Sequence, residues 1–446
     1  MDPIGIGILG AILILMLLIR IPIAGVLVAI GTVGLFLAIG SSGPEFNAGR
    51  AWSVTSSQLG RVTYSFVASF SLMAIPMFLL MGALASASGL TRDAYAAARL
   101  WLARWPGGLV LATVVGCGFF AAITGSSLAT ASAMGRIAVP EMLAAKYDRG
   151  LATGAVAAGG GLGALIPPSV LMVLYAIFTQ TSIAQMLVAG LVPGLLTAGA
   201  YMVMIWIRAK ISPELTPEIP DLKPDWGARL RSAGSLVPFG VIFLVMMVGI
   251  YGGFATASEA AAFGAFATLL LGLLRRRLSR KATAGAFDTA ARETAAVFAI
   301  AIGAAIFSNF VAYTGVPADV ARWIATLNLG PIGVMVPICL IYIALGMFLD
   351  PISTMLVTLA VIIPIVEGMD MNLIWFGVVV VKLLEIGMVT PPVGLNVFVL
   401  QAAVRDVDTT TIFKGVSWFI AVDILVLILL IAFPQITLWL PQSMGG

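Results

Sequence analysis

Apolar residues in this chain come in blocks of about 17 to 25, the length that carries an α-helix across roughly 30 Å of hydrocarbon. In the first half the candidate blocks cover residues 3–19, 22–39, 64–86, 108–124, 128–145, 151–165, 169–190 and 191–207. They continue over 234–252, 258–274, 293–312, 330–348, 353–366, 373–387, 393–404 and 414–433. Amides in lipid have no water to bond, so such blocks have to be helices. A β-barrel would alternate apolar and polar residues in short segments instead. Charged residues make up 10% of the 446, against roughly 25% in a soluble domain. The expectation is an all-α polytopic membrane protein. Several blocks are too short, or too broken by Gly and Pro, to be ordinary spans. Block 3–19 has no basic segment before it and runs into the next, so it is expected as a retained span and not a cleaved signal.

The net charge of +4 does not imply nucleic acid, because the cations sit in short loops between blocks, where the positive-inside rule collects them. Cys117 and Cys339 lie inside apolar blocks and read as small core residues. The absence of histidine removes Ser-His and Cys-His nucleophile pairs and His-ligated metals. No enzyme is expected, and no transition-metal site.

Residues 208–233 hold the longest polar stretch, rich in proline, and are expected to form a cytoplasmic loop. It divides a single membrane domain, 1–446, into a first repeat with N-terminal spans (1–207) and a second repeat (234–446). Arg208, Lys210, Lys223, Arg229 and Arg231 orient that loop, and Arg275 to Lys281, two spans on, face the same side. Thr256-Ala-Ser-Glu259 fits a capping box, with a role in transport as the alternative.

The halves align without gaps at one offset of 224 residues. Gly163-Ala-Leu-Ile-Pro-Pro168 falls on Gly387-Met-Val-Thr-Pro-Pro392, Thr130 on Thr354, Pro140 on Pro364, Ser126 on Asp350 and Ala129 on Ser353. Each half therefore carries two breaks in apolar helix. The first is Thr124-Gly-Ser-Ser127, matched by Asp350-Pro-Ile-Ser-Thr354; the second is the Gly-x-x-x-Pro-Pro element. Tandem prolines cannot sit inside a continuous helix. Unwound backbone at membrane depth belongs where it lines a cavity or is buried in protein, and paired interruptions point to a transporter's midplane site. Arg92, Arg99, Arg104, Lys146 and Arg149 flank the first broken segment, whereas Arg322, Glu367 and Asp370 flank the second. The predicted fold is two inverted repeats, each with a re-entrant helical hairpin and a broken helix, as in elevator-type ion transporters.

The break residues offer hydroxyls, carbonyls and one carboxylate, hard oxygen ligands suited to an alkali cation. Half-helix N-termini present amides to an anionic solute. The competing reading is that Ser126, Ser127 and Thr130 merely bond back within their helices. Asp350 is the sharpest candidate, as a carboxylate in apolar surroundings, although Asp-Pro also fits a helix N-cap. Glu385 is expected to be structural, with Lys382 as its partner. An intramembrane protease would need a base or a second facing aspartate; a passive channel or a proton-coupled anion transporter remain as alternatives.

At these residues the chain resembles the large membrane subunit of the tripartite ATP-independent periplasmic (TRAP) transporters. The resemblance is carried by Gly125-Ser-Ser-Leu-Ala-Thr-Ala-Ser-Ala-Met-Gly135 running to Pro140-Glu-Met142, Gly163 to Ser169, Ala255 to Ala262, Gly346 to Ile352, and Gly387 to Asn396. Ala257 departs from the proline expected beside Glu259. The resemblance implies a sodium-driven elevator importer of an organic acid, such as a C4-dicarboxylate, in the bacterial inner membrane. Its implied partners are a periplasmic binding protein and a small four-helix membrane subunit, expected as a separate polypeptide because the chain ends at Gly446. Sodium is then expected at Ser126, Ser127, Gly163, Ile166 and Pro167, and at Asp350, Thr354, Gly387, Thr390 and Pro391. The solute is expected at Gly125, Ser126, Thr130, Ser353, Thr354 and Asn396.

Overall fold

The computed structural model describes residues 21–43, 45–217, 226–327 and 329–445; the expected span 3–19 and Lys223 lie outside them. Among the described residues every regular element is helical. The first half runs α1 (Ile23–Gly40), α2 (Ala48–Val67), α3 (Ala74–Ala87), α4 (Leu90–Leu102), α5 (Gly108–Thr124), α6 (Ser127–Ala144), α7 (Arg149–Leu165), α8 (Val170–Phe178), α9 (Ile183–Ala189) and α10 (Leu191–Ile211). The second continues as α11 (Trp226–Tyr251), α12 (Ala257–Leu274), α13 (Arg280–Thr314), α14 (Val316–Thr326), α15 (Pro331–Gly346), α16 (Pro351–Gly368), α17 (Leu373–Val389), α18 (Leu395–Ala403), α19 (Thr409–Ala432) and α20 (Gln435–Gln442). Seven helices among these residues are long and apolar enough to cross a membrane, or nine if each of two sharply bent pairs is one span.

The 224-residue offset reappears as geometry. Helix α6 spans 127–144 and α16 spans 351–368; α7 spans 149–165 and α17 spans 373–389. The side chains of Asp148 and Asn372 cap α7 and α17, accepting from backbone amides of the first turn. Lys146 and Asp370 share a positive φ, 61° and 54°, in the turns that lead into them. In each half two consecutive helices, α5 and α6 or α15 and α16, pack on each other and on an interrupted helix. The interruption follows from sequence: Pro167 and Pro168 donate no amide, α7 stops at Leu165, and α8 restarts after Ser169, whose hydroxyl accepts from the Met172 amide at 3.3 Å. The two helix axes are bent by 41° at this break.

Helices α7 and α17 are buried along almost their full length, packed against the hairpins, α10 and α19. Helices α1, α3, α12 and α13 pack together in a second group, with α1 and α3 both lying along α13. The Thr256–Glu259 capping box is present: the Thr256 hydroxyl accepts from the Glu259 amide and the Glu259 carboxylate accepts from the Thr256 amide at 2.8 Å.

Three expectations are corrected. The polar stretch 208–233 is not loop throughout, because α10 runs to Ile211 and α11 starts at Trp226. Arg208 and Lys210 belong to the last turn of α10, where cations suit the negative end of a helix. The block 64–86 is divided by a break at Ala68 and a short 3₁₀ turn, Phe70–Met73. Helix α13 begins at Arg280, well before the expected 293, because its first turns are polar and laced by an Asp288–Arg292 ion pair at 2.8 Å. Hydropathy alone also passes over α2, α4 and α14, whose apolar and polar residues alternate with helical period.

Candidate functional site

The first hairpin turns at Gly125 and Ser126. Gly125 has φ +59°, a left-handed conformation costly for any residue with a Cβ, so the turn needs glycine. Ser126 is extended and caps α6, its hydroxyl oxygen accepting from the Ala129 amide at 3.4 Å. The Thr130 hydroxyl donates to the Ser126 carbonyl at 2.8 Å and lies 3.3 Å from the Thr124 hydroxyl. In the second hairpin Asp350 caps α16 and accepts from the Ser353 amide at 3.0 Å, while the Thr354 hydroxyl donates to the Asp350 carbonyl at 2.9 Å. The two tips thus repeat the same capping bonds, with a hydroxyl at 126 against a carboxylate at 350.

The broken helix seats against the tip. A Cβ on Gly163 would come 2.8 Å from the Ser126 carbonyl carbon and oxygen, so this crossing admits hydrogen alone. The Val170 amide reaches the Gly125 carbonyl at 3.4 Å. The structure thereby gathers Gly125, Ser126, Ser127 and Gly163; Ile166 is buried beside Gly194, and both Pro-Pro bonds are cis. In the second half Gly387 packs directly on Gly346. The Thr390 hydroxyl donates to the Ile386 carbonyl at 2.5 Å, and Pro391 is exposed.

Both tips open onto one cavity of about 880 Å³. Gly125, Ser126 and Ser127 line it from the first hairpin, and Asp350, Pro351 and Ile352 from the second. Thr130, Ser353 and Thr354 stand buried behind that wall. Asn396 is fully buried elsewhere, its amide donating to the Ala157 carbonyl of α7 at 3.2 Å. Three of these side chains carry a buried oxygen with no hydrogen-bond partner among the described residues: Ser127 Oγ, Ser353 Oγ and Asn396 Oδ1. A buried polar atom left unpaired costs about 1–3 kcal/mol, so each one invites a ligand. The back-bonding alternative holds for Thr130 and for Ser126, whose hydroxyl caps its own helix, and fails for Ser127.

The cavity is also lined by residues the sequence reading did not single out: Ser132 and Arg136 of α6, and Thr289 and Glu293 of α13. The available signal was Arg136 itself, a cation inside an apolar hairpin, with Ser132 one turn before it on the same face. A second omission is Asp423. Lys382 Nζ donates to Glu385 Oε2 at 3.3 Å, as expected, but lies closer to Asp423 Oδ1 at 2.6 Å. The Tyr201 hydroxyl donates to that same Asp423 oxygen at 2.6 Å, and all four side chains are buried. Asp423, a carboxylate deep in apolar α19, was the cue.

Interrupted helices facing one another across a cavity between long apolar helices define a multi-pass membrane transport protein. A crystal structure of the YdaH transporter of Alcanivorax borkumensis has this fold, with a TM-score of 0.62 over 93% of this chain and 97% of that one at 13% identity. The family model described as "Tripartite ATP-independent periplasmic transporter, DctM component" matches residues 10–436, and the chain belongs to that family. It is 33% identical to the C4-dicarboxylate TRAP transporter large permease protein DctM of Pseudomonas aeruginosa, over 84% of this chain and 87% of that one. It is 32% identical to the isethionate TRAP transporter permease protein DctMQ of Oleidesulfovibrio alaskensis, over 87% of this chain and 61% of that one.

Proposed function

We propose that the chain is the permease of a sodium-coupled importer that carries an organic acid across the bacterial inner membrane. The acid is handed over by a periplasmic binding protein, and a small separate membrane subunit completes the assembly. The observation that carries this reading is the pair of capped hairpin tips on one cavity. Ser126 and Asp350 occupy matched positions, with the orphan Ser127 hydroxyl at one of them.

Sodium, a hard cation with no directional bonding, suits hydroxyls, carbonyls and a single carboxylate. Among the described residues no cluster of three His, Cys, Asp or Glu side chains offers a transition-metal site. One sodium is assigned to Ser126, Ser127 and the Gly163–Pro167 break, and another to Asp350, Thr354 and the Gly387–Pro391 break. The amides at the starts of α6 and α16 supply positive dipole ends for the acid group. The unequal cations flanking the two hairpins support entry from opposite faces, hence inverted repeats that shift between faces as a unit. The relatives named for a C4-dicarboxylate and for isethionate are both named for anionic solutes.

The test is uptake into proteoliposomes holding the chain, the small subunit and the binding protein, with sodium and proton gradients imposed separately. Concentrative uptake that follows sodium supports the reading. Uptake driven by a proton gradient in sodium-free buffer, abolished outright by Asp350→Asn, would overturn it.

A further inference from the structure

We propose that Arg136 captures the acid group of the solute, and that the solute lies extended from it toward the hairpin tip. This deepens the permease reading above and rests on it.

Positions 126, 129, 132, 133 and 136 recur at helical spacing, and all five residues line the cavity. Arg136 is the cation on that face. Its guanidinium donates to Ser132 Oγ at 3.3 Å, and no carboxylate among the described residues lies within 4.0 Å of it. By contrast Arg99 is paired with Glu141, Arg277 with Asp93, and Lys382 with Asp423. A guanidinium lining the cavity, with no carboxylate among the described residues within 4.0 Å, is the planar, permanently charged fork that binds a carboxylate through two parallel hydrogen bonds.

The repeat supplies an independent argument. The hairpin caps and their amide bonds occur in both halves, as suits a pair of equivalent ion positions. Arg136 occurs once, since Ala360 stands 224 residues on. With no counterpart in the second half, Arg136 suits the cargo, which is carried as a single copy.

Distance along the helix sets the class of acid. The guanidinium is held at Ser132, six residues past Ser126, and six residues of helix rise about 9 Å. Between end carbons a four-carbon diacid spans roughly 4 Å and a six-carbon polyhydroxy acid roughly 6 Å at ~1.5 Å per bond, so the longer acid matches the separation better. Thr289 and Glu293 on the wall from α13 accept hydroxyl hydrogens, and Glu293 disfavours a second carboxylate near it. The ligand is therefore an extended monoacid bearing hydroxyl groups.

Calorimetric titration of the purified chain in sodium with gluconate and with succinate tests this. Wild type should bind gluconate more tightly than succinate. Arg136→Gln should weaken gluconate by about tenfold or more, the loss of one charge-assisted pair. Arg136→Lys should recover part of that loss, and thermal stabilisation by sodium should be the same in all three proteins. Unchanged gluconate affinity in Arg136→Gln overturns the proposal, as does equal binding of the two acids by wild type. A wild-type chain that binds neither acid in sodium overturns this proposal and leaves the sodium-coupled importer to the uptake test above.

Discussion

Ser126 and Asp350, 224 positions apart, each cap the second arm of a hairpin, and each accepts a bond from the amide three residues ahead. They face the same cavity, yet one is neutral and the other carries a charge. The backbone arrangement is duplicated while the chemistry is not, so the two positions should answer differently to substitution.

Asp350→Asn keeps a capping oxygen but removes the charge. We expect the sodium concentration for half-maximal uptake to rise by about tenfold, roughly the weight of one charged ligand, with some coupled uptake retained through the remaining carbonyls. Uptake against external sodium measures this. An unchanged sodium dependence would remove Asp350 from the ion site.

Ser127→Ala separates a ligand from a passive hydroxyl. Because Ser127 Oγ is buried and unpaired, its removal in sodium-free buffer should be neutral or slightly stabilising. With sodium present the variant should be stabilised less than wild type. Melting curves with and without sodium show the difference, and identical sodium shifts would contradict a ligand role.

Gly163→Ala places a methyl 2.8 Å from the Ser126 backbone. Backbone cannot swing aside as a side chain can, so a loss of about 1–3 kcal/mol is expected, together with weaker sodium stabilisation. Gly199→Ala, where no atom lies within 4 Å of the new methyl, is the matched control. Equal tolerance at both positions would mean the crossing is looser than the structure shows.

Inversion is tested by labelling single cysteines in a background with Cys117 and Cys339 replaced. Positions Arg104 and Lys146 should react from the cytoplasmic face and Glu367 from the other. All three reacting from one face would exclude inverted repeats.

The interrupted helices were legible because proline leaves an unambiguous mark and because one offset aligned both breaks. The helices 127–144 and 351–368 lie within two residues of the expected blocks 128–145 and 353–366. Helices α2, α4 and α14 were not legible, since a helix lying with one polar face scores low on mean apolarity. The fate of Asn396 was equally hidden: an amide near a break reads as a ligand, and burial against Ala157 is set by packing between distant segments. Arg136 and Asp423 carried a readable signal, charge within apolar helix, but the Lys382 and Tyr201 that bond Asp423 come from elsewhere in the chain.

Lys382 lies on the second half's broken helix, Tyr201 on the last long helix of the first half, and Asp423 on α19. Removing one partner from a buried pair costs about 3–5 kcal/mol, and here one aspartate joins three helices drawn from both halves. The second half's broken helix is thereby tied to a long helix of the first half. Under the sodium-coupled reading proposed above, a displacement of one half draws the other with it, and cargo and both ions are expected to travel together.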